Sequence, residues 1–161
     1  MHPNATLITE FYEAFQRRDA DTMAASYCPQ ASFEDAVFQL EGSRIGAMWR
    51  MLCERGKDLR LEFRDVTADD ATGSAHWEAW YSFSATGRPV HNVIEAELSF
   101  RDGRILTHRD RFALHRWAGQ ALGLPGLLFG WAAPMQRAIR AKALSSLDAY
   151  IRQRESRAQG S

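Results

Sequence analysis

The stretch VHNVIEAELSFRDGRILTHRDRF, Val90 to Phe112, alternates apolar and polar residues on both sides of an Asp-Gly pair. That is the pattern of two antiparallel strands joined by a tight turn. Its second strand carries His108 and Asp110 two residues apart, so both side chains leave the same face of the sheet.

Two turns set a predicted register. Thr86-Gly87 as a two-residue loop pairs Tyr81 with Asn92, Ala79 with Ile94 and Trp77 with Ala96. A two-residue loop at Asp102-Gly103 would turn Thr107, Arg109 and Arg111 inward. A three-residue loop, Arg101 to Gly103, avoids this; it sets Phe100 against Arg104, Ala96 against His108, Ile94 against Asp110 and Asn92 against Phe112. The predicted inner face thus places aromatic rings around two alanines, leaving a hollow beside His108 and Asp110. On the outer face Glu95 falls opposite Arg109 and Val93 opposite Arg111. Trp80 beside Val93 forms an apolar patch on which a second copy could sit.

The chain before the hairpin reads as helices followed by more strands. Leu7, Phe11 and Phe15 mark one face of a helix from Ala5 to Arg18. Asp19 or Asp21 caps a short helix, Thr22 to Tyr27, which Pro29 stops. ASFEDAVF alternates, which puts Asp35 on the same side as Phe33 and Val37. A third helix runs from Ser43 to Arg55, with Ile45, Met48, Trp49 and Leu52 on its inner stripe and Gly56 at its end. LRLEFRDV and SAHWEAWYSFS complete a meander. The class is α+β: a cone-shaped, curved antiparallel or mixed sheet wrapped around three N-terminal helices, with a C-terminal helical extension. Residues 1–115 form the cone and 116–161 the extension of the same domain. In that extension a helix from Met135 to Arg152 turns Met135, Ile139, Leu144, Leu147 and Ile151 inward, as a cover on the sheet or on a partner. A membrane-surface helix is the alternative.

With 20 basic and 20 acidic residues the chain has no net field to hold nucleic acid. No window of about 18 apolar residues is present. Cys28 and Cys53 stand in no metal-ligand spacing, consistent with reduced thiols and a cytoplasmic setting. No partner membrane is expected.

Asp35, His108 and Asp110 are the candidate catalytic groups. A carboxylate among apolar residues has a raised pKa and can take a proton beside a carbonyl; an imidazole can return one or bind the oxyanion. Phe11, Trp77, Tyr81, Asn92 and Phe112 are the candidate substrate contacts. Structural alternatives stand beside these: His108 and Asp110 as each other's core partners, Asp35 as a turn cap. His91 and His76 fall on the opposite face, so His108 and Asp110 lack companions for a metal, and no cofactor motif is present.

FYEAFQRRDADTM, ASFEDAVF, FRDGRI and THRDRF together resemble the nuclear transport factor 2-like superfamily. Its cone-shaped fold is shared by ketosteroid isomerase, scytalone dehydratase, limonene epoxide hydrolase and the SnoaL-like polyketide cyclases. The likeness spans residues 5 to about 115. It implies that Asp35, in FEDA, occupies the position of the isomerases' base. Their oxyanion tyrosine falls at Phe11 and their second acid at Ala96, which argues against steroid isomerisation. His108 and Asp110 look like the Asp and His of the cyclases and dehydratases. The epoxide hydrolases need an inward Asp-Arg-Asp set, whereas Arg109 and Arg111 point outward. With the inward carboxylates and histidine, the expectation is a SnoaL-like enzyme working by cofactor-free acid-base chemistry on an apolar carbonyl compound; the outer Trp80 patch adds the expectation of a homodimer through that face. The rival class is a non-catalytic ligand-binding or assembly domain of the same fold.

Overall fold

The structure, a computed structural model, describes residues 1–160. Helix α1 spans Pro3–Gln16, with His2 Nδ1 accepting the Asn4 amide hydrogen at its start. Helix α2 spans Ala20–Ala25, capped by Asp19, whose Oδ1 takes the Thr22 amide hydrogen at 3.1 Å. Strand β1 begins at once, at Tyr27, and runs to Glu34. Pro29 therefore lies in a strand and does not end α2; α2 ends at Ala25, two residues earlier than predicted. β2 is Gln39–Glu41 and α3 Ser43–Arg55, closed by Gly56.

The remaining strands are β3 Arg60–Ala68, β4 Thr72–Ser82, β5 Pro89–Arg101 and β6 Arg104–Arg111. They form one curved, mixed sheet in the order β2-β1-β6-β5-β4-β3. Among the described residues the one parallel neighbour pair is β1 with β6, which sets Phe33 beside His108 and Glu34 beside Arg109. Against the concave face packs a core that includes Ile8, Phe11, Phe15, Met23, Ile45, Met48 and Trp49 from the three helices. Those apolar stripes were legible because helical spacing puts them on single faces.

Both hairpins depart from the predicted register, and both preserve the faces. Between β4 and β5 the tight turn is wider: the Phe83 amide donates to Arg88 O, and Ser82 pairs with Pro89. Every pairing therefore shifts by two, giving Trp77 with Ile94, Ala79 with Asn92 and Tyr81 with Val90. A shift of two leaves each side chain on its own side. Between β5 and β6 the turn is the two-residue Asp102-Gly103 loop after all, with φ of 53° and 76°, as a type I′ turn requires. A bulge restores the inward face: Phe100 pairs with Ile105 but Ser99 pairs with Thr107, leaving Leu106 as the extra residue. Leu98 consequently stands opposite His108, and Ala96 opposite Asp110.

On the outer face Glu95 lies opposite Arg111 and Glu97 opposite Arg109. The Trp80 patch differs from expectation. Trp80 pairs with His91, stacks on its ring at 4.7 Å and is covered by the Arg60 guanidinium. His76, Glu78, His91 and Glu95 form an ion-pair chain beside it.

Beyond the sheet, α4 is Leu114–Leu122, α5 Leu124–Phe129 and α6 Ala133–Gln159. α6 runs from before Met135 to well past Arg152. Its anchored half is the C-terminal one: Leu147 and Tyr150 are buried, while Leu144 is 42% exposed. Arg44 meets Asp148 at 2.6 Å and Arg154 meets Glu54 at 3.2 Å, tying α6 to α3.

Candidate active site

Phe33 and His108 are neighbours across β1 and β6, and the two strands run the same way. Asp110 is the next inward residue of β6, and Asp35 comes just past the end of β1, near enough that Asp110 and His108 both act on its carboxyl. The three predicted catalytic groups meet along one seam and not across a cavity.

His108 sits in a closed hydrogen-bond chain. Its Nε2 is 2.9 Å from Asp110 Oδ1, and its Nδ1 is 2.7 Å from the Tyr27 hydroxyl. Trp49 Nε1 donates to that hydroxyl at 2.9 Å, and Trp77 Nε1 approaches Asp110 Oδ1 at 3.4 Å. Donors and acceptors balance when the imidazole carries its hydrogen on Nε2: Trp49 donates to Tyr27, Tyr27 to His108, and His108 to Asp110. Each buried polar atom thereby gains a partner. The His108 side chain is 0% exposed and that of Asp110 3%, so the network is shut off from solvent at its centre.

Asp35 differs in both respects. It lies one residue past the end of β1 and is half-buried. Its Oδ1 accepts the amide hydrogens of Val37 and Phe38, at 2.7 and 2.6 Å, closing the turn into β2. This is the cap considered as its structural alternative. Its Oδ2 accepts no hydrogen bond among the described residues and is available to a ligand. Burial raises its pKa to about 6. The two amide hydrogens oppose that rise, the Asp110 carboxylate adds to it and His108 lowers it slightly.

The predicted substrate contacts divide. Phe11 is wholly buried, edge-on to Tyr27, Trp49 and His108 at 5.7–5.8 Å. Trp77 is also buried; Tyr81, Asn92 and Phe112 are half-buried. Tyr81 stands near Asp35, whose charge helps raise its pKa, and its hydroxyl accepts Trp117 Nε1 of α4 at 2.7 Å. The interior where two strands alone suggest a hollow holds the rings of Phe11, Tyr12, Phe15 and Trp49. The helices supply them, which strand pairing could not foresee. A cavity of about 650 Å³ lies elsewhere, between α2, α3 and the end of α6, with Tyr27, Cys28, Gly46 and Arg104 among its walls.

Tyr12, Tyr27 and Trp49 complete the site without having been assigned to it. The Tyr12 hydroxyl is buried with no hydrogen-bond partner, and nearby Asp110 adds to burial in raising its pKa. Nothing in the spacing of Tyr27 marked it, since a bulged β1 carries it to His108: Tyr27 pairs with Ile105, but Ser32 already with Thr107.

The sequence from residue 8 to 108 matches the SnoaL-like domain family. The chain belongs to that family. No curated protein matches it. Among solved structures it is similar to an LEH-like epoxide hydrolase of M. tuberculosis, with 21% identity over 78% of this chain and 95% of that one and a TM-score of 0.62. A proposed polyketide cyclase of Xanthomonas campestris pv. campestris shares 24% identity, covering 73% and 96%, at a TM-score of 0.60. A protein of ketosteroid isomerase-like fold from Catenulispora acidiphila, in complex with trimethylamine, shares 12%, covering 74% and 94%, at 0.64. These likenesses establish the cone fold of this SnoaL-like chain. Arg109 and Arg111 are exposed, and Arg111 pairs with Glu97 at 3.0 Å, so neither joins the inward carboxylates.

Proposed function

We propose that this SnoaL-like protein is a cofactor-free acid-base enzyme, of isomerase, cyclase or dehydratase type, acting on an apolar carbonyl compound with Asp35 as its base. The observation that carries the reading is the Asp35 carboxyl: half-buried, held by two amide hydrogens on one oxygen, free on the other, and raised to about 6. A base of that pKa is ionised near neutrality yet still holds a proton strongly enough to take one from carbon. Tyr81 beside it supplies an aromatic wall. Asp110, held from beneath by His108, is the charge that tunes Asp35 and the second acid where the seam meets substrate. Self-association through the outer face, centred on Trp80, belongs to the same reading; a monomeric mass at micromolar concentration counts against it.

The test is turnover of apolar ketones and enones followed by proton exchange at the carbon next to the carbonyl. Asp35→Asn keeps both amide contacts and removes the base, so exchange falls about 10²-fold or more. Unchanged exchange in the variant refutes the assignment. A second reading, a non-catalytic binding domain, is favoured by the closed Trp49–Tyr27–His108–Asp110 chain, in which every ring is engaged with its neighbours. It predicts saturable ligand binding that Asp35→Asn leaves intact, with no exchange in either protein.

A further inference from the structure

Helix α5 is built inside out. Its glycines face the protein: a Cβ on Gly126 would lie 1.9 Å from Ala118 O, and one on Gly130 2.9 Å from the Ala118 Cβ. The large apolar residues face away. Leu124, Leu127, Leu128, Phe129 and Trp131 are 52–68% exposed. A soluble surface helix turns such residues inward, and a contiguous outward cluster marks a contact face. The close Gly126–Ala118 approach holds that face in place.

Charge says what the face meets. From Arg111 to Leu147 the sequence contains no Asp or Glu, although the whole chain is neutral. Arg116 in α4 and Arg137 and Lys142 in α6 flank α5, are exposed, and form no ion pair among the described residues; Arg140 instead donates to Ala36 O at 2.9 Å. A two-fold contact between copies would bring these uncompensated cations together. An apolar cluster ringed by unpaired Arg and Lys, with a Trp at its border, instead matches the headgroup region of a bilayer containing anionic lipid.

We propose that α5 and its basic flanks dock the protein on an anionic membrane surface, with the leucines and Phe129 entering the acyl boundary. Among the described residues no helix is long and apolar enough to cross a membrane, so the proposed contact is peripheral. It revises the expectation of no membrane partner drawn from the neutral chain as a whole. Trp117 links α4 to Tyr81, so the docked face lies one helix away from the Asp35 wall.

Cosedimentation of the full chain with phosphatidylcholine vesicles, with and without about 30% phosphatidylglycerol, tests this. Binding to the anionic vesicles should be at least about tenfold stronger and should weaken as salt is raised. Leu127→Ser with Leu128→Ser, both exposed, should reduce it about tenfold or more while circular dichroism stays unchanged. Arg137→Glu with Lys142→Glu should do the same and abolish the lipid preference. Absence of binding to anionic vesicles, or binding indifferent to both pairs of variants, overturns the proposal. So does a doubled solution mass that the Leu→Ser pair abolishes, since a second copy would then cover α5.

Discussion

Asp110 follows His108 on β6 as Asp35 follows Phe33 one residue past the end of β1, and with those strands parallel the Asp110 charge acts on the Asp35 carboxyl. Asp35 is not a lone buried charge: Asp110 makes it hold its proton more tightly. Four outcomes follow from this seam and its surroundings.

The first is a pH effect. Asp35 is raised from 3.8 to about 6, so the folded state binds this proton more tightly than the unfolded chain. The resulting stabilisation is complete below pH 3.8 and is lost as pH rises through about 6; the full difference corresponds to roughly 3 kcal/mol at most. Urea midpoints of the wild type and Asp35→Asn, compared between about pH 4 and pH 8, should diverge with the variant gaining at high pH. Parallel profiles would contradict the raised value.

Tyr27→Phe takes the middle link out of the buried chain. It leaves Trp49 Nε1 without its acceptor and His108 Nδ1 without its donor. Equilibrium unfolding should show a loss of about 1–3 kcal/mol, with a ring of nearly the same volume in place.

Tyr12→Phe should do the reverse. Its hydroxyl is buried and unpartnered, so removing it relieves a desolvation cost and should be neutral or stabilising by up to about 1–3 kcal/mol. A clear loss would mean that a water or ligand satisfies the hydroxyl in solution.

Gly126→Ala addresses the tail. The added carbon would meet the Ala118 backbone oxygen, and backbone cannot step aside as a flexible side chain can. α5 should separate from α4, costing about 1–3 kcal/mol or more. Limited proteolysis should then cut between Ala118 and Trp131 sooner than in the wild type.

Alternation made the inward face readable: His108, Asp110, Trp77, Ala96 and Ile94 are all buried as the period of two requires. Pairing was harder. The Asp-Gly turn argued for two residues and the face of His108 argued for three; the bulge at Leu106 satisfies both, and nothing in ILTH signals it. The β1–β6 contact was out of reach for a different reason. A parallel partner is chosen by packing over the helices, not by a turn, so Asp35 beside Asp110 could be suspected from chemistry but not placed. The Trp49 stripe was legible as core, while its indole hydrogen bond to Tyr27 depended on the irregular β1.

The parallel seam also has an order in time. Tyr27 and His108 are 81 residues apart, and β6 is the last strand of the sheet. A ribosome releasing this chain from its N-terminus exposes helix α1 and Asp35 long before their partner strand exists. Contacts of such long range are made late and slowly. Until β6 arrives, the nascent chain holds Tyr27, Trp49 and Asp35 without His108 and Asp110, so the candidate site comes into being only when the sheet is completed.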